Sequence, residues 1–448
     1  MKLTFHGGAG SVTGSNYMLE SGDTKILIDC GLQQGGHFAE RHNFDPFPYR
    51  PEEIKAVFIT HAHVDHTGKL PKLMKDGFRG TIYSTPPTHD FSELLLLDSE
   101  HILAKDAEHF KMPPLYTTTD IKNTMALWKT MHYHEPFLVG PFTVEFFDAG
   151  HILGSACIRI SAEGKSVVFS GDLGNYPAPI IHVTDPLPAS DFVLIESTYG
   201  DRVHENEDTR MEALEDAIED TVKSGGTLMI PAFAMERTQE LLFHLHTLFE
   251  EGRIPRVPVY IDSPLAIKVT TVYKKYENYF NDTSYKMVRS GDDILNFKGL
   301  HLTLTTEQSK EINHVPSPKI IIAGSGMSNG GRILHHEARY LPDPRSMILF
   351  VGYQAGGSLG RQILEGAKVV KIFGEEVPVH CKSRVLSGYS AHADQPRLME
   401  WVLPRRTTLK KVFVVQGEGE SSKVLAQKMR DELAIDTAVP AAGESVML

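Results

Sequence analysis

The amino-acid sequence predicts an α/β protein in which a second α/β domain interrupts the first. In the first part of the chain, short apolar strands alternate with glycine-rich turns. After about residue 205, apolar strands alternate with amphipathic helices, which is typical of a parallel sheet covered by helices. From about residue 387 the pattern of the first part returns. We therefore expect a first domain formed by residues 1–204 and 386–448, with an inserted domain at 205–385.

The strands and helices of the first domain are predicted from apolar runs bounded by turn and capping residues. The predicted strands are Lys25–Asp29, Ala56–Thr60, Thr143–Phe147, Ser166–Ser170 and, near the C-terminus, Lys411–Gln416. The predicted helices are Thr88–Phe110, Ile121–Met131 after the N-cap run Thr117–Asp120, and a segment that ends at Val402. Polar residues follow each of the first four strands, so we expect a site where strand ends meet.

The inserted domain shows the clearest alternation of strands and helices. Its predicted helices are Asp208–Lys223 and Arg237–Leu248. Its predicted strands are Thr227–Pro231, Val257–Asp262, Lys319–Ala323 and Met347–Val351. This order predicts a parallel α/β domain with its own core.

Composition limits the class of protein. The chain has 448 residues, enough for two or three domains, and a net charge of −12, which argues against non-specific coating of nucleic acid. Cys30, Cys157 and Cys381 form no CxxC pair, which predicts thiols in a reducing cytoplasm rather than disulfides. The sequence shows no signal-type apolar run and no segment of membrane-spanning length. We therefore expect a cytoplasmic protein without a membrane partner.

The run His61-Ala62-His63-Val64-Asp65-His66 predicts a metal site. It follows the apolar strand Ile54–Thr60 and precedes the amphipathic run Lys69–Met74, so a strand-to-helix loop presents its side chains. The first two histidines are spaced to reach one ion, and the Asp-His pair at the turn is placed to reach a neighbouring one. Imidazole and carboxylate ligands without thiolate suit a catalytic zinc site better than a closed structural site.

Three further residues can complete this site. His151 lies in a glycine-flanked loop, where the backbone can approach an ion, although a histidine there is equally compatible with an ordinary turn. Asp172 ends another strand and can bridge two ions. Asp29, also at a strand end, can orient a ligand imidazole through a hydrogen bond.

Taken in chain order, Asp29, the run His61–His66, His151 and Asp172 resemble the metallo-β-lactamase superfamily. Glu196 in Ile-Glu-Ser-Thr-Tyr-Gly, His392 in Ser-Ala-His-Ala-Asp and the inserted domain narrow this resemblance to the β-CASP nucleases, which include RNA 3′-end processing endonucleases and ribonuclease J. Similar motifs occur in the insert at Ile230–Ala234, Arg237–Glu240, Asp262–Ala266, Gly324–Arg332 and Gly352–Arg361. The resemblance covers essentially the whole chain and implies a metallo-β-lactamase αββα sandwich with an inserted α/β β-CASP domain.

The resemblance also implies two zinc ions per chain and a role for each ligand. One ion would be held by His61, His63 and His151, the other by Asp65 and His66, with Asp172 bridging. Asp65 would also orient the attacking water or accept its proton. His392, with Glu196 as its carboxylate partner, would protonate the leaving oxygen. Without the resemblance, Glu196 is equally compatible with a helix-capping acid and His392 with a residue at a helix start.

The sequence departs from the family at one position. The last family motif carries a histidine in RNA-processing members and an apolar residue in many DNA-repair members, whereas this chain has Gln416. An amide oxygen is a poorer zinc ligand than an imidazole, so we expect the second ion to be held more weakly.

Six residues of the insert are candidates for contact with substrate. Guanidinium groups suit phosphates, and glycine-rich backbone can cradle one. The candidates are Arg237, Arg332 and Arg361, with Ser325, Ser358 and Lys382 as lesser ones. For each arginine, a salt bridge within the domain is an equally good interpretation.

Together these features predict a metal-dependent ribonuclease that hydrolyses single-stranded RNA in RNA processing or decay. RNA is the expected partner, and a homodimer is expected from relatives. Three alternatives remain open at this stage: a DNA nuclease of the same branch, a catalytically weak RNA-binding subunit, and a small-molecule hydrolase such as a thioesterase or lactonase.

Overall fold

A computed structural model describes residues 1–204, 210–386 and 389–448, with the backbone alone at 37 and 38. The predicted helix start at Asp208, the domain boundary at residue 205 and the return of the first pattern at residue 387 lie outside these ranges. The chain forms two compact units. The first comprises residues 1–176, 182–203 and 391–448, and the second comprises 177–181 and 204–390.

The first unit contains two seven-stranded sheets. Sheet A consists of β1 (Lys2–Gly7), β2 (Asn16–Ser21), β3 (Thr24–Ile28), β4 (Ile54–Phe58), β5 (Thr81–Ser84), β6 (Trp128–Thr130) and β22 (Ser445–Met447). Sheet B consists of β7 (Phe137–Val139), β8 (Phe142–Asp148), β9 (Ala156–Ala162), β10 (Lys165–Phe169), β11 (Phe192–Glu196), β20 (Lys411–Val415) and β21 (Thr437–Ala438). The strand orders are β22-β1-β2-β3-β4-β5-β6 and β21-β20-β11-β10-β9-β8-β7.

Seven α-helices belong to the first unit. They are α1 (His37–Arg41), α2 (Val64–Thr67), α3 (Leu70–Lys75), α4 (Pro86–Phe110), α5 (Thr118–Met125), α13 (Gln395–Val402) and α14 (Gly419–Leu433). The predicted helix Ile121–Met131 is wrong beyond Met125. Residues 128–130 instead form β6, because Trp128 pairs with Ile82 of β5 and its indole donates to Ser84 Oγ at 2.8 Å.

Strand alternation builds a core between the two sheets. Phe5 and Phe58 of sheet A are buried against Phe146 and Phe169 of sheet B. The alternate residues face outward and are covered by helices: Val168 packs with residues of α13 and α14. On the other side, α3 packs against sheet A. The layers therefore run helix, sheet, sheet, helix.

The second unit is a parallel α/β domain, as the strand–helix alternation predicted. Its six-stranded sheet has β14 (Leu300–Leu302), β13 (Val259–Ile261), β15 (Lys319–Ala323), β12 (Thr227–Pro231), β16 (Met347–Phe350) and β19 (Lys382–Val385) in that order, and every neighbouring pair is parallel. A separate hairpin joins β17 (Val369–Ile372) and β18 (Glu375–Pro378). The helices are α6 (Arg210–Ser224), α7 (Arg237–Glu250), α8 (Pro264–Lys275), α9 (Asp282–Arg289), α10 (Thr306–Glu311), α11 (Ile333–Tyr340) and α12 (Leu359–Leu364).

Parallel pairing in the first unit brings the polar strand ends to common sheet edges. Strand β3 is parallel to its neighbour β4, and β11 is parallel to both of its neighbours, β10 and β20. The residues that follow these strands carry the predicted ligands. Among the described helices, none combines the length and the apolar composition that crossing a membrane requires.

Candidate metal centre

The turn between β4 and α3 presents the histidine-rich run. His63 caps α2, and the backbone amides of His66 and Thr67 donate to the His63 carbonyl at 2.9 and 3.0 Å. The loop after β3 packs tightly on this turn. A Cβ at Gly31 would lie 1.5 Å from the Asp65 carbonyl oxygen, so glycine is required for the two loops to meet.

Four side chains converge on one point of the first unit. His61 Nε2 lies 2.9 Å from His63 Nδ1, which lies 3.3 Å from His151 Nε2. Asp172 Oδ2 lies 3.4 Å from His61 Nε2 and 3.6 Å from His151 Nε2. One donor atom from each of the four residues lies within 4.8 Å of the other three. Three imidazole nitrogens and one carboxylate oxygen are a donor set that suits zinc.

The protonation of these imidazoles also favours metal binding. Burial lowers the pKa of His63 to about 4 and holds the pKa of His61 and His151 well below the usual value. The rings are therefore neutral near pH 7, with lone pairs available. In His151, Nδ1 lies 3.2 Å from the Ala391 carbonyl oxygen and donates to it, which leaves the Nε2 lone pair directed at the cluster.

A second group surrounds His66. Its Nε2 lies 3.4 Å from Asp172 Oδ1 and 3.8 Å from Asp65 Oδ2, while its Nδ1 lies 2.7 Å from Asp29 Oδ2. Burial alone would lower the pKa of His66, but the carboxylates of Asp172, Asp29 and Asp65 raise it well above its usual value. A divalent ion bound by Asp65, His66 and Asp172 would replace the proton on Nε2.

Asp29 orients this second group through a network that local sequence did not indicate. Its Oδ1 accepts from the Thr60 backbone amide at 2.9 Å, and its Oδ2 accepts from the hydroxyls of Thr60 and Ser15 at 2.9 and 3.0 Å. The only sequence signal for Thr60 was its position next to His61. The network fixes the tautomer and the orientation of the His66 ring.

Gln416 occupies the edge of the second group. Its side-chain amide donates to Asp172 Oδ1 at 2.9 Å and lies 3.1 Å from His66 Nε2. Gln416 is 2% exposed, so the amide cannot leave the cluster without rearranging the loop. An amide nitrogen does not coordinate a metal ion, so in this orientation Gln416 contacts the ligands rather than adding one.

His392 and Glu196 form an acid–base pair beside the cluster. His392 Nδ1 lies 3.1 Å from Glu196 Oε2 and 3.8 Å from Asp172 Oδ2. Burial alone would lower the pKa of His392, but the carboxylates of Glu196 and Asp172 raise it to about 9. The fully buried Glu196 also accepts from the Leu173 amide, next to Asp172. His392 is therefore a cation at neutral pH and can donate a proton.

The arginines predicted to contact substrate have carboxylate partners within the second unit. Arg237 pairs with Glu240 at 2.5 Å, Arg332 with Asp262 at 2.7 Å, and Arg361 with Glu365 at 2.7 Å. Arg237 is only 7% exposed, whereas Arg361 lies on the surface. Arg237 is therefore a buried salt-bridge residue in this structure. Arg361 also forms a salt bridge, but its guanidinium remains accessible at the surface.

The lesser candidates have different surroundings. Ser358 is buried and caps α12, where its hydroxyl accepts from the Arg361 amide at 3.1 Å. Ser325 Oγ accepts from the Asn329 amide at 3.0 Å, and Lys382 is exposed at the start of β19. The sequence also gave no indication that His336 is buried and bonded to Asp262 at 2.7 Å.

The fold and this cluster define a metal-dependent hydrolase of the αββα type. Three family descriptions match the chain along its length: a "Beta-lactamase superfamily domain" at residues 24–232, a "Beta-Casp domain" at 238–363, and a "Zn-dependent metallo-hydrolase RNA specificity domain" at 376–440. The chain belongs to the β-CASP branch of the metallo-β-lactamase superfamily. The fold class expected from sequence is thereby confirmed.

Similar proteins extend over almost the whole chain. Ribonuclease TTHA0252 of Thermus thermophilus is 38% identical, covering 95% of both chains. The transcription termination factor FttA of Methanosarcina mazei is 33% identical over 98% of this chain and 70% of its own length, and an RNase J-like protein of Methanocaldococcus jannaschii is 31% identical over 98% of both. A crystal structure of a protein of unknown function from Enterococcus faecalis shares the fold, with a TM-score of 0.59 at 13% identity over 100% and 99% of the two chains.

Proposed function

We propose that this protein is a metal-dependent ribonuclease that hydrolyses phosphodiester bonds of single-stranded RNA in RNA processing or decay. The observation that carries the proposal is the proximity of a three-histidine, one-carboxylate cluster to the His392–Glu196 pair. The first can hold a metal, and the second can donate a proton, which are the two requirements of phosphodiester hydrolysis. The match to an RNA specificity domain and a relative named as a ribonuclease support RNA as the substrate.

We further propose that the resident ions are two zinc ions. His61, His63, His151 and Asp172 would hold the first, and Asp65, His66 and Asp172 the second. Two adjacent divalent ions lower the pKa of water and stabilise the negative charge that develops on a phosphodiester. The neutral imidazoles of the first group fit this role, while Gln416 limits the ligand set of the second.

Asp65 is the proposed proton acceptor for the attacking water. Burial raises the pKa of its carboxyl group. A carboxylate with a raised pKa is a stronger base than an exposed one, so proton transfer from water to Asp65 is less unfavourable. Asp65 belongs to the first turn of α2, which keeps its carboxylate beside His66.

His392 is the proposed proton donor to the leaving oxygen. It is protonated at neutral pH because Glu196 and Asp172 stabilise the imidazolium. Its Nδ1 is engaged with Glu196, so Nε2 is the atom that would deliver the proton. Its side chain is 24% exposed, which leaves the ring open to substrate.

Contact with RNA is proposed for the six insert residues in two groups. Arg361 and Lys382 are exposed and can bind phosphate oxygens directly. Arg237, Arg332, Ser325 and Ser358 are engaged within the second unit, and we propose that they shape the surface that RNA meets.

We also propose a cytoplasmic location and a homodimer. The cytoplasmic location is supported by the three free cysteines, of which Cys30 and Cys157 are buried.

An assay with end-labelled RNA tests the proposed function. Wild type and His392→Ala are incubated with 5′- and 3′-labelled single-stranded RNA and with DNA of the same sequence, and a chelator serves as the metal control. We expect RNA to be cut by the wild type, a loss of about hundredfold or more in His392→Ala, and no cleavage with chelator. Cleavage of DNA alone would favour the DNA nuclease, and binding of RNA without cleavage would favour a catalytically weak subunit.

A further inference from the structure

A polar cavity lies in the first unit, outside the ligand cluster. Its volume is about 230 Å³, and the residues that matter for its chemistry are His6, Asn16, Gln33, Asp45, Phe47 and Lys69. They come from β1, β2, the loops after β3 and α1, and the residue before α3. The proposed ribonuclease mechanism uses none of them.

Lys69 brings an ammonium group to this cavity. Its ammonium lies 5.8 Å from the centre of the Phe47 ring, and burial lowers its pKa. Within residues 1–204, 210–386 and 389–448, it forms no hydrogen bond or ion pair, although the Asp45 carboxylate of the same cavity attracts it at longer range. Lys72 lies over the same ring at 4.3 Å but forms an ion pair with Asp76. A partly desolvated ammonium without a partner is unfavourable, and an anion would remove that cost.

His6 adds a second unused group. Its Nε2 is buried and has no hydrogen-bond partner among the described residues, and its ring packs on Tyr49 at 4.8 Å between centres. Burial lowers the pKa of His6 to about 4, so the ring is neutral at pH 7 and has one N–H to donate. A bound anion would select the tautomer with the proton on Nε2.

Among the remaining polar groups of the cavity, the carboxylate is already engaged and a side-chain amide is unused. Asp45 is the carboxylate among the cavity residues, and its Oδ2 already accepts from His42 Nδ1 at 2.7 Å. The Gln33 backbone amide donates to Asn43 Oδ1 at 2.7 Å and the Gln33 carbonyl accepts from Asn43 Nδ2 at 2.8 Å, so the side-chain amide of this cavity residue is the Gln33 donor left for a ligand. Lysine, imidazole and amide donors are thus presented from three separate segments.

We propose that this cavity binds a phosphate group, with Lys69, His6 and Gln33 as its donors. Donors that approach from several directions match a tetrahedral oxyanion, which has acceptor oxygens on every side, better than a planar carboxylate. The volume also leaves space for a group attached to the phosphate. The inference goes beyond the proposed function, because such a site would bind phosphate whether or not the chain cuts RNA.

The cavity is joined to the metal centre through the loop after β3. The Asn16 amide donates to the Asp29 carbonyl at 2.8 Å, and the Lys69 backbone amide donates to the Cys30 carbonyl at 2.8 Å. Asp29 in turn contacts His66 through its carboxylate. The phosphate could come from an RNA chain or from solution, and the experiment separates these sources.

The test is a calorimetric titration, in which inorganic phosphate is added to the metal-loaded full chain and the heat of binding is measured. Lys69→Met is compared with wild type and with Lys55→Met, which removes the same charge from an exposed position on β4. We expect Lys69→Met to lose about tenfold or more in affinity for one class of phosphate sites, because a charged hydrogen bond is lost, and Lys55→Met to bind as wild type. Superimposable titrations of all three proteins would overturn the proposal.

A second arm uses a 2′-O-methyl oligoribonucleotide, which resists cleavage. If Lys69→Met also lowers the affinity for the oligoribonucleotide, the cavity binds a phosphate of the RNA chain. If Lys69→Met lowers only the affinity for inorganic phosphate, the ligand of the cavity is a free anion. Should Lys69→Met fail to fold, His6→Phe retains the aromatic packing on Tyr49 and removes Nε2, and the same loss is expected. Crystals of the wild type soaked in phosphate should then show density beside Lys69, and an empty cavity at saturating phosphate would refute the inference.

Discussion

The side-chain amide of Gln416 donates a hydrogen bond to Oδ1 of Asp172 at 2.9 Å, so the carboxylate that we propose to bridge two ions is partly engaged by a group that cannot bind metal. The family motif that this part of the sequence resembles has a histidine at this position in its RNA-processing members. This contact affects the proposed second ion more than the proposed first one, because the first group has three imidazole donors besides Asp172.

Gln416→His should therefore increase the metal content of the protein. An imidazole nitrogen would replace an amide that only donates, which adds a ligand to the second group. After dialysis against limiting zinc, elemental analysis should give up to about one more ion per chain than wild type. Gln427→His, at an exposed position of α14, is the control and should change nothing. Equal and full zinc occupancy in wild type and in Gln416→His would contradict this account.

The pH dependence of cleavage should report the His392–Glu196 pair. A proton donor works only while it is protonated, and the pKa of His392 is raised to about 9, so turnover should fall as the pH rises through about 9. Glu196→Gln removes the neighbouring negative charge and lowers the pKa of His392, which moves this fall to lower pH. Glu432→Gln, on the surface of α14, should keep the wild-type profile. An alkaline limb that does not move in Glu196→Gln would exclude His392 as the donor.

Asp29→Asn should weaken metal binding without removing a ligand. The substitution replaces an acceptor that contacts Thr60, Ser15 and His66, so the His66 ring loses its fixed orientation. We expect zinc affinity, measured by competition with a chelator, to fall about tenfold to hundredfold. Asp23→Asn, in the exposed turn before β3, is the matched control. Unchanged zinc affinity in Asp29→Asn would show that His66 is held by other contacts.

Gly31→Ala should destabilise the first unit. The new methyl group would lie 1.5 Å from the Asp65 carbonyl oxygen, and both loops would have to separate. We expect the free energy of unfolding in urea to fall by about 3 kcal/mol, at the upper end of overpacking effects. Gly419→Ala, at the start of α14 with no atom within 4 Å of the new Cβ, should be close to neutral. Equal stability of the two variants would mean that the loops after β3 and β4 adapt freely.

Much of the fold was predictable because its elements carry local signals. The strand Lys319–Ala323 was predicted at its observed ends because Ile320–Ala323 form an apolar run. The helix after Thr117 was predicted from its capping residues, but it begins at Thr118, three residues before the predicted start at Ile121, because Thr117 itself is the N-cap. Its end was missed because residues 126–131 have no helix-breaking residue, and the pairing of Trp128 with Ile82 across the sheet decides their conformation. Such pairing depends on residues far away in sequence.

In the candidate site, too, the sequence reveals residues with a local signal and does not reveal contacts that depend on distant segments. The run His61–His66 could be found from sequence because its ligands are adjacent in the chain. The contact of Asp29 with Thr60 and the burial of Arg237 beside Glu240 could not, since each depends on the packing of several segments. The cavity at Lys69 gave no sequence signal, because single lysines and histidines are common on protein surfaces.

The Ala391 carbonyl that accepts from His151 belongs to the residue immediately before His392. The C-terminal segment thus supplies the proposed proton donor and, one residue earlier, the contact that sets the proton position of a candidate ligand imidazole 240 residues away in sequence. A truncated chain that stops before this segment would be impaired in both respects. Adding the missing piece as a separate polypeptide should restore both together, so fragment complementation would recover zinc retention and turnover in parallel rather than one after the other.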